Sequence, residues 1–219
     1  MKLELISFKL CPFAQRTVIL LNAQKLDFET TYINPMDPPD WFKEISPTGQ
    51  VPLLKVDDKI VFESSVIGEF VNDIGALDLH PKDVVKKANN RSWIAFYGTM
   101  FDDLFNLVTG DEEKFNTAKI NLFEKFAKLE AIKNQEKFFN GNEFNMIDAA
   151  IAPFFMRLAW INEFCDNALS ITKFKHLSAW SEAVLALDVV KNSVVDGLDD
   201  VYYSNIEARE GYLSTLLIE

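Results

Sequence analysis

The sequence predicts a chain of two parts, an α/β domain over residues 1–75 and an all-α domain over residues 84–219, joined by a linker at 76–83. Three observations predict it. The hydrophobic period switches repeatedly between two and 3.6 in the first third. The pattern then breaks at Gly75-Ala76-Leu77-Asp78-Leu79-His80-Pro81, where Pro81 disfavours helix continuation. From Val84 onward only helical periodicity remains.

The elements follow in order. Leu3 to Phe8 reads as a strand, with Glu4 interrupting its apolar alternation, Pro12 to Gln24 as a helix, and Phe28 to Ile33 as a second strand rich in Thr, Tyr and Ile. A punctuated loop at Pro35-Met36-Asp37-Pro38-Pro39 precedes a short helix over Trp41 to Ile45 and a turn at Ser46-Pro47-Thr48-Gly49. Val51 to Val56 and Lys59 to Phe62, separated by Asp57-Asp58, read as a hairpin. Ser64 to Ile74 closes the domain as a helix, with Ser64 or Ser65 as its cap. Amphipathic helices are then expected over Val84 to Val108, Glu112 to Asn134, Met146 to Phe164, Phe174 to Leu187 and Leu198 to Leu216. In the second of these, Phe115, Ala118, Leu122, Phe126 and Leu129 mark one buried face. Asn145 and Asp148 form a capping box at the start of the third, with Asp in place of the usual Glu.

Composition narrows the function. A net charge of −11 over 219 residues argues against binding a nucleic-acid backbone. No stretch approaches the ~20 uninterrupted apolar residues of a membrane span, and the N-terminus lacks the apolar core of a signal peptide. Two cysteines, Cys11 and Cys165, are too few for a disulfide framework, so a reducing, cytoplasmic compartment is expected. His80 and His176 have no third ligand nearby in sequence; they read as surface or linker residues, and no metal is expected.

Cys11 stands where a strand hands over to a helix that begins with Pro12. Unpaired N–H groups and the dipole at a helix N-terminus stabilise a thiolate, the reactive form of cysteine. Pro12 suits the first turn, where its missing N–H costs nothing. A dithiol oxidoreductase would carry a resolving cysteine at position 14; Ala14 stands there, so a nucleophilic Cys11 needs an external thiol. The plainer reading of Cys11 is a small buried residue; Cys165, without comparable context, receives that reading outright. Val51-Pro52 is a candidate cis bond whose Val51 backbone could pair with a bound peptide, or else an ordinary trans turn. Glu63-Ser64-Ser65 fits a zwitterionic amino-acid head at a helix start, and equally fits simple capping.

Cys11-Pro12-Phe13-Ala14-Gln15-Arg16, Val51-Pro52, Glu63-Ser64 and Asn145-Met146-Ile147-Asp148 occur together and in this order. On these motifs the chain resembles the glutathione transferase family, in its cysteine-type omega-like class with bacterial relatives. The likeness spans nearly the whole sequence, and Pro39-Asp40-Trp41-Phe42 and Ser46-Pro47-Thr48-Gly49 extend it. The resemblance implies a thioredoxin-like N-terminal domain, an all-α C-terminal domain and a homodimer. It implies glutathione as co-substrate, Cys11 as the nucleophile that forms a mixed disulfide with it, Val51 and Pro52 against the tripeptide backbone, Glu63 and Ser64 on the γ-glutamyl head, and Phe13 as a wall. An acceptor pocket for a small oxidised or electrophilic substrate is implied between the domains, with Arg157 lining it; an ion pair is the alternative role for Arg157. Omega-like relatives usually carry a lysine immediately before the Pro-acid-Trp of the loop, where it binds the glycyl carboxylate. Pro38 stands there in this chain, with Lys43 as a nearby cation.

The expected activity is glutathione-dependent thiol transfer, dehydroascorbate-type reduction or deglutathionylation. Conjugation is disfavoured, because it uses a hydroxyl that steadies the glutathione thiolate without capturing it, whereas a cysteine tends to form a disulfide. The competing reading is a noncatalytic interaction module in stress response, since fold alone does not set function.

Overall fold

A computed structural model describes residues 1 to 218; Glu219, the last residue of the expected helical domain, lies outside the described residues. The elements are β1 (Leu3–Ser7), α1 (Pro12–Ala23), β2 (Glu29–Tyr32), α2 (Asp40–Ile45), β3 (Leu53–Val56), β4 (Lys59–Phe62), α3 (Ser64–Ile74), α4 (Val84–Thr109), α5 (Glu112–Ile132), α6 (Met146–Phe164), α7 (Lys175–Leu185), α8 (Asp188–Lys191) and α9 (Leu198–Ala208), then a 3-10 turn at Tyr212–Leu216. They divide into two compact units, Met1–His80 with Asp188–Val195, and Pro81–Leu187 with the chain from Asp196 onward.

The first unit has the thioredoxin-like α/β architecture. Its sheet runs in the order β2-β1-β3-β4, with β1 parallel to β2 and antiparallel to β3. Alternation along β1 explains its mixed composition. Ile6 joins Ile33, Phe42 and Leu53 in a core cluster on the face that α2 covers. Glu4, on that same face by the period of two, accepts a hydrogen bond from the Thr31 hydroxyl at 2.8 Å. Leu3 and Leu5 are buried on the opposite face. Gly49, with φ +67, makes the Ser46 turn, and its N–H donates to the Ser46 hydroxyl at 3.0 Å.

Helix α1 is held at both ends. Near its C-terminus the Gln24 amide donates to the Leu77 carbonyl at 2.7 Å and accepts from the Leu77 N–H at 2.9 Å. Gly75 allows this, because a Cβ there would lie 2.1 Å from the Gln24 side chain. At the other end the buried Gln15 donates to the Ser193 hydroxyl at 3.0 Å. Residues 188–195 were expected to continue the helical domain, yet they pack within the first unit, where Val190 is fully buried. His80 differs from its expectation as well. It is buried, with Nε2 at 3.1 Å from both carboxylate oxygens of Glu69.

The second unit is all helical among its described residues. Its core is aromatic: Trp180 meets Phe155 edge-on at 5.2 Å, and Phe154 meets both Phe101 and Phe126 in the same manner. The Asn145 capping box forms as read, with the Asn145 side chain accepting from Ile147 and Asp148 accepting from the Asn145 N–H. Asp148 also accepts from the Phe139 N–H at 3.0 Å and the Trp180 indole at 2.7 Å, so one buried carboxylate ties α6 to α7 and to the preceding loop. Burial raises its pKa from 3.8 to about 6. The expected last helix stops at Ala208, and Gly211 starts the 3-10 turn instead; a Cβ at Gly211 would lie 2.6 Å from the Val108 carbonyl. No helix among the described residues is long and apolar enough to cross a membrane.

Candidate active site

Strand register gathers the candidate residues at one end of the first unit's sheet. Ile6 pairs with Leu53, and Leu53 pairs with Phe62, so these three form one row across β1, β3 and β4. Because β3 runs antiparallel to both neighbours, the chain leaving β1 toward Cys11, the chain entering β3 through Val51 and Pro52, and the chain leaving β4 into Glu63 and Ser64 all emerge at the same end. Residues far apart in sequence thereby share one rim.

Cys11 caps α1. Its backbone is extended (φ −73°, ψ 114°), and its sulfur accepts a hydrogen bond from the Ala14 N–H at 3.4 Å. The half-buried thiol reaches the Val51 carbonyl at 3.6 Å. As a thiol it donates to Val51; as a thiolate it loses that bond but keeps the Ala14 amide and the positive end of the helix. Arg16 adds a cation. Burial lowers the pKa of its guanidinium to about 10, and the charge of Cys11 acts in the opposite sense, so the two groups favour each other's ionised forms. The guanidinium also lies over the ring of half-buried Phe13, 4.8 Å from its centroid. Arg16 stands in the sequence as the last residue of the Cys11-Pro12 motif; its burial is a tertiary fact without a local signal.

The Val51-Pro52 bond is cis. Leu53, Leu54 and Phe42 are buried beside it, while Val51 remains half-buried. At the next corner the cap of α3 is Glu63, not Ser64 or Ser65, and no side chain caps the helix. Ser64 is instead buried as the first helical residue. The reason lies in the backbone of Glu63, at φ 68° and ψ 114°, a conformation costing a non-glycine residue about 1–3 kcal/mol. Strain of this kind persists where surrounding structure imposes it. Glu63 is exposed at this corner, and the first-turn amides of α3 have no side-chain cap.

Other elements carry the remaining candidates. Pro38 is half-buried in the loop before α2, and Lys43 on α2 is paired with Asp40 at 3.0 Å on the surface. Arg157 belongs to the second unit and is buried on α6. It donates to the Pro153 carbonyl at 2.9 Å and lies 5.9 Å from the ring centroids of Trp160 and Tyr202. Cys165 is buried at the end of α6, and that burial pushes its thiol up to about 11. Among the described residues no group of three or more His, Cys, Asp or Glu side chains is placed to hold a metal ion.

A half-exposed thiol thus caps a helix of a thioredoxin-like unit, beside the strand entered through the cis Val51-Pro52 bond. The family model for the glutathione S-transferase N-terminal domain matches residues 10–74, and that for the C-terminal domain matches residues 89–188. Glutathione S-transferase omega-1 of Rattus norvegicus is 33% identical over 166 residues, covering 72% of this chain and 67% of that protein. Omega-1 of Sus scrofa is 28% identical over 210 residues, covering 93% and 87%. Among solved structures, glutathione transferase Omega 3C from Trametes versicolor superposes with a TM-score of 0.80 at 23% identity over 90% of each chain, a likeness of fold. The chain belongs to the glutathione S-transferase family of enzymes, in its omega-like class, a family whose co-substrate is glutathione.

Proposed function

We propose that this enzyme is a glutathione-dependent thiol transferase and reductase in which Cys11 is the nucleophile. The observation that carries the reading is a half-exposed Cys11 sulfur receiving the Ala14 amide at a helix N-terminus, with alanine where a resolving cysteine would stand. In the proposed cycle the Cys11 thiolate attacks the glutathione sulfur of a mixed disulfide, forming a Cys11–glutathione disulfide and expelling the substrate thiolate. A second glutathione thiolate then attacks the glutathione sulfur of that adduct, releasing glutathione disulfide and restoring the Cys11 thiolate. Reduction of a dehydroascorbate-type acceptor consumes two glutathiones in the same sense.

The tripeptide is held by groups at the same rim. The Val51 N–H and C=O beside Pro52 pair with its cysteinyl backbone as an added strand. The uncapped amides at Ser64 receive the γ-glutamyl carboxylate and Glu63 accepts from its ammonium. Phe13, steadied by Arg16, walls the sulfur. The free Cys165, together with the lack of a disulfide framework, supports a cytoplasmic setting. The proposed assembly is a homodimer; light scattering at micromolar concentration tests it, and a monomer contradicts it.

The test pairs two assays on Cys11→Ser. Reduction of disulfide and dehydroascorbate disappears, because a serine hydroxyl does not ionise at neutral pH. Addition of glutathione to an activated aryl halide is retained or rises slightly, since the Val51, Glu63 and Ser64 contacts are untouched. Wild-type reductase activity in Cys11→Ser would overturn the reading.

A further inference from the structure

Residues 188–195 leave the helical unit, pack against α1 in the first unit, and return. Their contact with α1 is specific. Ser193 is buried, donates its hydroxyl proton to the Val190 carbonyl and accepts from the Gln15 side-chain amide at 3.0 Å. The fully buried Val190 anchors the segment, and Asn22, two turns further along α1, donates to the Asn192 carbonyl at 3.4 Å. Gln15 is no ordinary anchor point. Its backbone N–H donates to the Cys11 carbonyl at 3.1 Å, the first bond of the helix, and the preceding residue, Ala14, supplies the amide on the Cys11 sulfur.

We infer that Ser193 is a positioning residue for Cys11: through Gln15 it fixes the first turn of α1, and with it the Ala14 amide that steadies the thiolate. The inference rests on Cys11 being the reacting thiol and adds a residue about 180 positions away in sequence to the machinery that sets its reactivity. The Ala14 N–H meets the sulfur at 3.4 Å, an ordinary length for a sulfur acceptor, and because a hydrogen bond weakens steeply as its donor angle closes, a rotation of the first turn weakens it. Removing the Ser193 hydroxyl takes away one acceptor of the buried Gln15 amide and with it the bond that ties the first turn of α1 to residues 188–195, so the turn is freer to rotate.

The experiment measures alkylation of Cys11 by iodoacetamide against pH, in a Cys165→Ala background. Ser193→Ala is expected to slow alkylation at pH 7 roughly fivefold, the worth of about one net hydrogen bond, and to move the midpoint upward. Gln15→Met, which removes the donor instead, gives the same shift and serves if Ser193→Ala fails to fold. In a Gln15→Met background Ser193→Ala adds nothing further. An unchanged rate and midpoint in the folded variants, or an equal effect of Ser193→Ala with and without Gln15, overturns the inference even if thermal stability falls. Alkylation reads the thiol without turnover. Reductase activity surviving in Cys11→Ser would therefore defeat the proposed function and leave this coupling standing, and an unchanged midpoint would defeat the coupling alone.

Discussion

Replacing Asp148 by asparagine should change the pH dependence of stability in a direction opposite to that of an ordinary ion-paired carboxylate. Asp148 is fully buried, and desolvation outweighs its three hydrogen bonds and the charge of Lys133, raising its pKa from 3.8 to about 6. A raised folded-state pKa means that the native protein binds the proton more tightly than the unfolded chain. The stabilisation is therefore present in full below 3.8 and is lost as pH rises through about 6. Between pH 4 and pH 7 that loss amounts to about 2 kcal/mol for a shift of this size. Asparagine cannot titrate. Its Oδ1 keeps the Phe139 and Trp180 donors, while its amide faces the Asn145 N–H and forfeits that half of the capping box. The variant is thus less stable than wild type at pH 4, and its deficit shrinks by about 2 kcal/mol at pH 7. Urea unfolding of both proteins at the two pH values measures this, since the other titrating groups cancel in the comparison. A deficit that stays constant, or grows toward pH 7, refutes the reasoning.

Two further outcomes are expected. Cys11 alkylation should show a midpoint below the ~8.5 of free cysteine, because a helix N-terminus and Arg16 favour its thiolate, whereas Cys165 should stay unlabelled in the folded protein. Gly75→Ala should lower stability by about 1–3 kcal/mol, because the added Cβ displaces Gln24 from both of its bonds to Leu77; thermal unfolding unchanged from wild type would contradict this.

The parts of the molecule that proved legible in the sequence are those governed by local rules. Cys11-Pro12 announced a strand-to-helix junction because a helix start has a chemistry of its own. The Asn145 and Asp148 pair announced α6 for the same reason, and the Glu63-Ser64 corner fell at the expected boundary between β4 and α3. What escaped depends on contacts between distant residues. The α8 segment is only four residues long and carries no period, and its packing in the first unit comes from the buried Val190 and from the Gln15 and Ser193 contact that follows it. The positive φ of Glu63 has no signature in a residue that seldom adopts it. His80 looks like a linker residue until Glu69, eleven positions earlier, is found against its ring. Asp148 read as a local cap, and its indole partner on α7 appeared only with the tertiary structure.

The central claim is that Cys11 itself carries glutathione during turnover, and the direct measurement is the mass of the protein after brief exposure to glutathione disulfide. One added glutathione per chain is expected, localised by peptide mapping to the segment containing Cys11, removed by excess glutathione and absent from Cys11→Ser. An unmodified Cys11 under conditions where the enzyme turns over, or an adduct on Cys165 instead, would contradict it.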